Sequence, residues 1–179
     1  MNDMNFSETK LREIFARVQP FTMTSYERVS ALVDSVRYVT INRIPGDIVE
    51  CGVWRGGSMM AVILALQELG SLQRNLYLYD TFEGMTTRQS IDTSEYETEM
   101  RQKVEEGAYA VSQDEVQRNV GTLGYSESRI RYVKGPVEET LASARHEQIA
   151  VLRLDTDWYE STRAELEILF LEAKKAEKI

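Results

Sequence analysis

The spacing of apolar residues changes along the chain, and each change marks an expected element. Over residues 7–18 the apolar positions fall on one helical face, and Pro20 ends the run. A second helix is expected from Thr24, because Thr24-Ser25-Tyr26-Glu27 has the form of a capping box. Val29, Leu32, Val33, Val36 and Val39 follow at helical spacing until Pro45-Gly46 stops them. From Asp47 the period shortens. Asp47-Ile48-Val49-Glu50-Cys51 reads as a strand, Gly52-Val53-Trp54-Arg55-Gly56-Gly57 as a glycine-rich turn, and 58–69 as a helix apolar nearly all round, hence buried, closed by Gly70. Residues 75–80 form a second strand ending in an acid. Residues 84–112 are polar and acidic, and are expected to be a lid-like insertion with some helix. A helix over Gln113–Gly121, a third strand over 129–134, a helix start after Gly135-Pro136, a fourth strand over 149–155 and a last helix over 160–175 complete the pattern.

Strands alternating with helices at these spacings build βαβ units around a parallel sheet with helices on both faces. The expected fold is α/β, Rossmann-like, with strand order 3-2-1-4. A helical segment (1–45) precedes the sheet-bearing unit (46–179). In such sheets ligands bind at the carboxyl ends of the strands. The stretch from Glu50 to Gly57, then Asp80, Gly135 and Asp155 all fall at those ends, so four strand tips carry a glycine or an acid.

Each tip suggests a chemistry. Glycines after a strand let backbone approach a ligand, but the loop 52–57 lacks the G-x-G-x-x-G spacing of pyrophosphate binding. That disfavours an NAD-dependent oxidoreductase. An acid such as Glu50 at a strand end suits a ligand with an ammonium group; S-adenosylmethionine has one and carries no phosphate. Asp80 can accept ribose hydroxyls, a device shared by NAD and S-adenosylmethionine sites. Asp155 and Asp157 are the oxygen ligands a Mg²⁺ ion takes, and a metal there lowers the pKa of a substrate hydroxyl. Asp157 also reads as a capping or supporting acid. Trp54 and Trp158 lie beside these loops and either cover a ligand or simply pack. Met59, Met60 and Cys51 read as core, and His146, between Arg145 and Glu147, as a solvated surface residue.

Composition narrows the options. Lys plus Arg is 21 against 29 for Asp plus Glu, a net charge of −8, which argues against a nucleic-acid surface. No apolar run reaches the roughly 20 residues of a membrane span, and the first residues do not read as a signal peptide. One cysteine and one histidine cannot make a Cys/His zinc site or an internal disulfide, so a cytoplasmic setting and oxygen-ligated metals are expected.

Three strings resemble one family. The segment from Phe21-Thr22-Met23-Thr24 through Ile44-Pro45-Gly46-Asp47-Ile48-Val49-Glu50-Cys51-Gly52-Val53-Trp54-Arg55-Gly56-Gly57-Ser58, then Tyr79-Asp80-Thr81-Phe82-Glu83-Gly84-Met85, then Leu152-Arg153-Leu154-Asp155-Thr156-Asp157-Trp158-Tyr159-Glu160-Ser161-Thr162, closely resemble the macrocin O-methyltransferase family of the TylF/MycF type. The resemblance covers about residues 20–170. It implies a class I methyltransferase fold, S-adenosylmethionine as donor, Mg²⁺ dependence and a sugar hydroxyl, classically on a macrolide glycoside, as acceptor. By position it implies that Glu50, Gly52 and Gly56, with Val53, Gly57 and Ser58 of the same loop, hold the methionine end of the cofactor. Asp80 holds the ribose, and Gly135 and Val137 lie near the adenine. Asp155 is a metal ligand and the catalytic residue, Asp157 joins it at the metal, and Thr22 and Met23 lie near the active site.

The family continues past the last helix into a fifth strand ending in Asp-Asp-Tyr, whose acids supply further metal ligands, and two more strands. This sequence stops at Ile179. The expectation is therefore a C-terminally truncated member whose fourth strand becomes a sheet edge, completed by homo-oligomerisation. The alternative is a non-catalytic module that binds S-adenosylmethionine.

Overall fold

The Ser7 hydroxyl accepts the Lys10 N–H at 3.2 Å and opens helix α1, Glu8–Val18. This computed structural model describes residues 6–86, 91–92, 104, 107 and 109–170. Helix α2 runs Tyr26–Ile41, and its N-cap is Ser25, one residue later than the capping-box pattern implies. The Thr24 hydroxyl is diverted: it accepts from the Arg153 guanidinium at 3.1 Å, a charged donor that outcompetes a backbone N–H. The helix also ends before Pro45. Arg74, distant in sequence, donates to the carbonyls of Val39, Ile44 and Gly46 and so satisfies the chain around that end.

Four parallel strands follow: β1 Asp47–Cys51, β2 Leu76–Asp80, β3 Ile130–Lys134 and β4 Ile149–Leu154, in the order β3-β2-β1-β4. Among the described residues β4 pairs with β1 alone, with Glu50 opposite Arg153 in the register. Helix α3, Gly57–Glu68, links β1 to β2; α4, Gln113–Gly121, precedes β3; α5, Val137–Thr140, follows it. Helix α6, Tyr159–Glu165, passes into a π turn over Leu166–Phe170. The last part of the expected final helix, 171–175, lies outside the described residues. So does most of the expected insertion at 84–112.

Side chains alternate across the strands, so the sheet has two cores. Ile48, Leu76, Leu78 and Val151 face one side and pack with α1, α2 and α3. Helix α3 is buried from Gly57 to Leu66, as its unbroken apolar sequence requires. Val49, Cys51 and Tyr79 face the other side, against Val137, Leu141, Ala144 and Leu169. Cys51 is buried there, and burial pushes its thiol pKa up, which keeps it a small apolar filler.

His146 belongs to this second core, and the surface reading is corrected. Its side chain is fully buried while the flanking Arg145 and Glu147 are exposed. The ring is kept inside by two partners: Nε2 lies 3.0 Å from the Tyr79 hydroxyl and Nδ1 lies 3.2 Å from Asp47 Oδ2. Tyr77 meets the ring edge-on at 4.4 Å between centroids. Both nitrogens are satisfied, which removes the cost of burying them.

Candidate functional site

A cavity of about 320 Å³ opens at the carboxyl ends of the strands. Of the residues singled out in the sequence, Thr22, Met23, Glu50, Gly52, Val53, Ser58, Asp80, Gly135, Val137, Asp155 and Asp157 line it. Trp54 and Trp158 line it as well. Gly56 and Gly57 do not. Their lack of a side chain serves packing inside the protein: a Cβ at Gly57 would stand 2.5 Å from the Phe21 carbonyl oxygen, and one at Gly56 would press on Val116 and Val120. The same holds in part for Gly52, where φ is +82° and a Cβ would run into the Asp155 carbonyl oxygen. There glycine lets the tips of β1 and β4 touch.

Glu50 is the deepest charged group of the wall, 2% exposed. Its Oε1 accepts from Arg153 Nη1 at 3.0 Å, while its Oε2 makes no hydrogen bond with any described residue. Burial pushes its pKa up to about 7; the Arg153 guanidinium pulls the other way, and the acids Asp155 and Asp80 add to the rise. A buried carboxylate with a free oxygen is a receptor for a cationic donor.

Asp80, at the tip of β2, turns inward to the glycine-rich loop. Its Oδ2 accepts the backbone N–H groups of Val53 at 2.6 Å and Trp54 at 3.2 Å, and its Oδ1 accepts that of Phe82 at 2.8 Å. Both oxygens therefore hold backbone already. Trp54 sits at φ +48°, a conformation costly for a side-chain-bearing residue, and the Asp80 bond helps to keep it there.

Asp155 and Asp157 follow β4. The Asp155 Oδ2 accepts from Arg153 Nη2 at 2.8 Å. The Asp157 carboxyl is shifted upward by burial and by the neighbouring charge of Asp155. Trp158 is fixed by its indole N–H, which donates to the Thr86 carbonyl at 3.0 Å. On the far wall Glu138 Oε1 accepts from the Ser161 hydroxyl at 2.6 Å.

Sequence reasoning passed over three of these residues. Arg153 stands in an apolar strand, but Val151, Arg153 and Asp155 share one face by simple alternation, and that period was the available signal. The capping-box pattern marks Thr24 as a helix cap. Glu165 is fully buried beneath the β4 tip: its Oε1 accepts from the Thr156 hydroxyl at 2.9 Å, and its Oε2 has no hydrogen bond among the described residues. Burial pushes its pKa up to about 7, against the pull of Thr156 and the Cys51 thiol. The spacing Ser161, Glu165, Leu169 placed it on the inward face.

The donor set fits an ammonium-bearing, phosphate-free ligand. Carboxylates of Glu50, Asp80, Glu138, Asp155 and Asp157 line the wall, with Arg28 as a cation among them, a balance opposed to pyrophosphate. It does not fit Mg²⁺. Among the described residues no three acidic, histidine or cysteine side chains gather where a metal could be held, and the Oδ2 of Asp155 already pairs with Arg153.

A family model described as macrocin O-methyltransferase (TylF) matches residues 8–176. The chain is 36% identical over 148 residues to the 8-demethyl-8-(2,3-dimethoxy-alpha-L-rhamnosyl)-tetracenomycin-C 4'-O-methyltransferase of Streptomyces olivaceus, covering 83% of this chain and 56% of the relative. It is 30% identical over 142 residues to the mycinamicin III 3''-O-methyltransferase of Micromonospora griseorubida, covering 79% and 56%. The solved O-methyltransferase NovP superposes with a TM-score of 0.74 at 31% identity, over 85% of this chain and 62% of that one. The calicheamicin methyltransferase CalS11, at 19% identity and TM-score 0.62 over 94% and 76%, shares the fold. The chain thus spans little more than half the length of the curated relatives it matches.

Proposed function

Because the chain belongs to the macrocin O-methyltransferase family, we propose that its cavity binds S-adenosylmethionine and serves methyl transfer to a hydroxyl of a sugar or glycoside. The observation that carries this reading is Glu50: a buried carboxylate in the cavity wall with one oxygen unclaimed by described residues. S-adenosylmethionine supplies a methyl group on a cationic sulfonium together with an ammonium group. Glu50 takes the ammonium. Gly135 and Val137 bound the side of the cavity assigned to the base, and Asp80 fixes the loop through Val53 and Trp54 rather than reaching out first. A ribose hydroxyl would share an Asp80 oxygen already engaged by backbone. The aromatic ring of Trp158, held by Thr86, gives an acceptor sugar an apolar face to lie on. Asp155 and Asp157 stand at the same tip, where an acceptor hydroxyl needs a hydrogen-bond acceptor to orient it. Placement of donor and acceptor in one cavity supplies the rate advantage of orientation. No step here runs through a metal.

The acceptor class is supported by the names of the relatives, which act on a rhamnosyl-tetracenomycin and on mycinamicin III. Transfer of labelled methyl from S-adenosylmethionine to rhamnosylated or macrolide-linked sugars tests the reading. Product that appears with the unmodified chain and is lost with Asp155→Ala, cofactor binding being kept, supports it. A second reading is favoured by the engagement of Asp155 with Arg153, which takes up an oxygen that would otherwise orient an acceptor hydroxyl: a chain that holds the cofactor without transferring its methyl. Binding without product from any glycoside acceptor would select it.

A further inference from the structure

Arg153 has been given no part in holding the cofactor, yet it touches three residues of the cavity wall. It is the register partner of Glu50 on the neighbouring strand, on the same face of the sheet. Its Nη1 donates to Glu50 Oε1 at 3.0 Å; its Nη2 donates to Asp155 Oδ2 at 2.8 Å and to Thr24 Oγ1 at 3.1 Å. One planar fork therefore ties the tips of β1 and β4 to the segment that enters α2. Its side chain is only 16% exposed, so the pair with Glu50 works in a partly dry setting.

We propose that Arg153 is the positioning residue for the amino-acid end of the methyl donor: it holds Glu50 by Oε1 and leaves Oε2 to receive the ligand's ammonium. This rests on the reading of the cavity as an S-adenosylmethionine site. Without Arg153, Glu50 loses both its orientation and its countercharge, and a buried carboxylate without a countercharge takes up a proton. A neutral acid that is free to turn binds an ammonium weakly. Lysine cannot replace the fork, because a single ammonium cannot meet three oxygens on three segments in the same geometry. Arg153 acts through Glu50, and the adenosine half of the ligand gains nothing from it directly.

That asymmetry supplies the test. S-adenosylhomocysteine carries the amino-acid group; 5'-methylthioadenosine keeps the adenosine and the thioether and lacks it. Both are titrated calorimetrically into the full 179-residue chain. Arg153→Met is expected to raise Kd for S-adenosylhomocysteine about tenfold or more and to leave that for 5'-methylthioadenosine within about twofold. In a Glu50→Gln background the same substitution is expected to add nothing further, since the two residues act as one unit. Equal weakening of both ligands would mean a merely structural role, and unchanged binding of S-adenosylhomocysteine would mean none; either overturns the proposal, as does full additivity with Glu50→Gln. If Arg153→Met does not fold, Arg153→Lys is titrated under the same criteria. Failure of the unmodified chain to bind either ligand is a different result: it removes the cofactor reading itself.

Discussion

The carboxylate of Asp80 reaches across from the tip of β2 to the backbone N–H of Val53, 2.6 Å away in the loop after β1. The same oxygen holds Trp54, so one side chain sets the shape of the loop that walls the cavity. Asp80→Ala strands these donors. It should destabilise the fold by about 1–3 kcal/mol and weaken S-adenosylhomocysteine binding as well. Urea unfolding and calorimetry measure the two effects; stability unchanged by the substitution would contradict this role for Asp80.

His146→Ala should cost about 2–4 kcal/mol, because it empties a packed site and leaves the Tyr79 hydroxyl and Asp47 without their shared partner. A solvated histidine would cost no more than about 0.5 kcal/mol. Chemical denaturation separates the two values directly.

The fold was legible because it rests on periodic features. The strand at Asp47–Cys51 and the helix at Gln113–Gly121 appear where spacing put them, and the parallel sheet has the expected order β3-β2-β1-β4. The misreadings share a cause: in each case a partner remote in the chain overrode a local signal. Arg153 draws Thr24 away from capping. Tyr79 and Asp47 draw His146 out of water between two exposed charges. The convergence of Glu50, Asp80 and Asp155 on one cavity was readable from strand ends alone. The inward turn of Asp80 was not, because the direction of a carboxylate depends on which N–H groups the folded loop presents.

The glycines make contrasting predictions. At Gly52 a methyl group clashes with the Asp155 carbonyl, so Gly52→Ala should cost about 3 kcal/mol or more. Gly70 also has positive φ, +62°, but nothing lies within 4 Å of its added Cβ. Gly70→Ala should cost only the backbone term, about 1–2 kcal/mol. Thermal unfolding of the two variants should rank them in that order; equal melting temperatures would argue against the contact between the β1 and β4 tips.

Glu165 gives a pH dependence with a definite sign. Its folded pKa of about 7 lies above the ordinary glutamate value of 4.5, so the native state binds its proton more tightly than the unfolded chain does. Its contribution to stability is complete below about pH 4.5 and is lost as pH rises through about 7, at roughly 1.4 kcal/mol for each unit of difference. Glu165→Gln should make the fall in stability between pH 5 and pH 8 shallower, leaving the part due to Glu50, whose pKa is also raised to about 7. The check is urea unfolding at intervals across that range, where a fall as steep as in the unmodified chain would exclude Glu165 as its source.

The central claim is that the strand tips form one pocket for a nucleoside carrying an ammonium group, received by Glu50. Calorimetric titration of S-adenosylhomocysteine at pH 8, where Glu50 is ionised, tests it most directly. Saturable one-to-one binding in the micromolar range, weakened about tenfold or more by Glu50→Gln, is the predicted result. The absence of heat at millimolar ligand, or binding indifferent to Glu50→Gln, would contradict it.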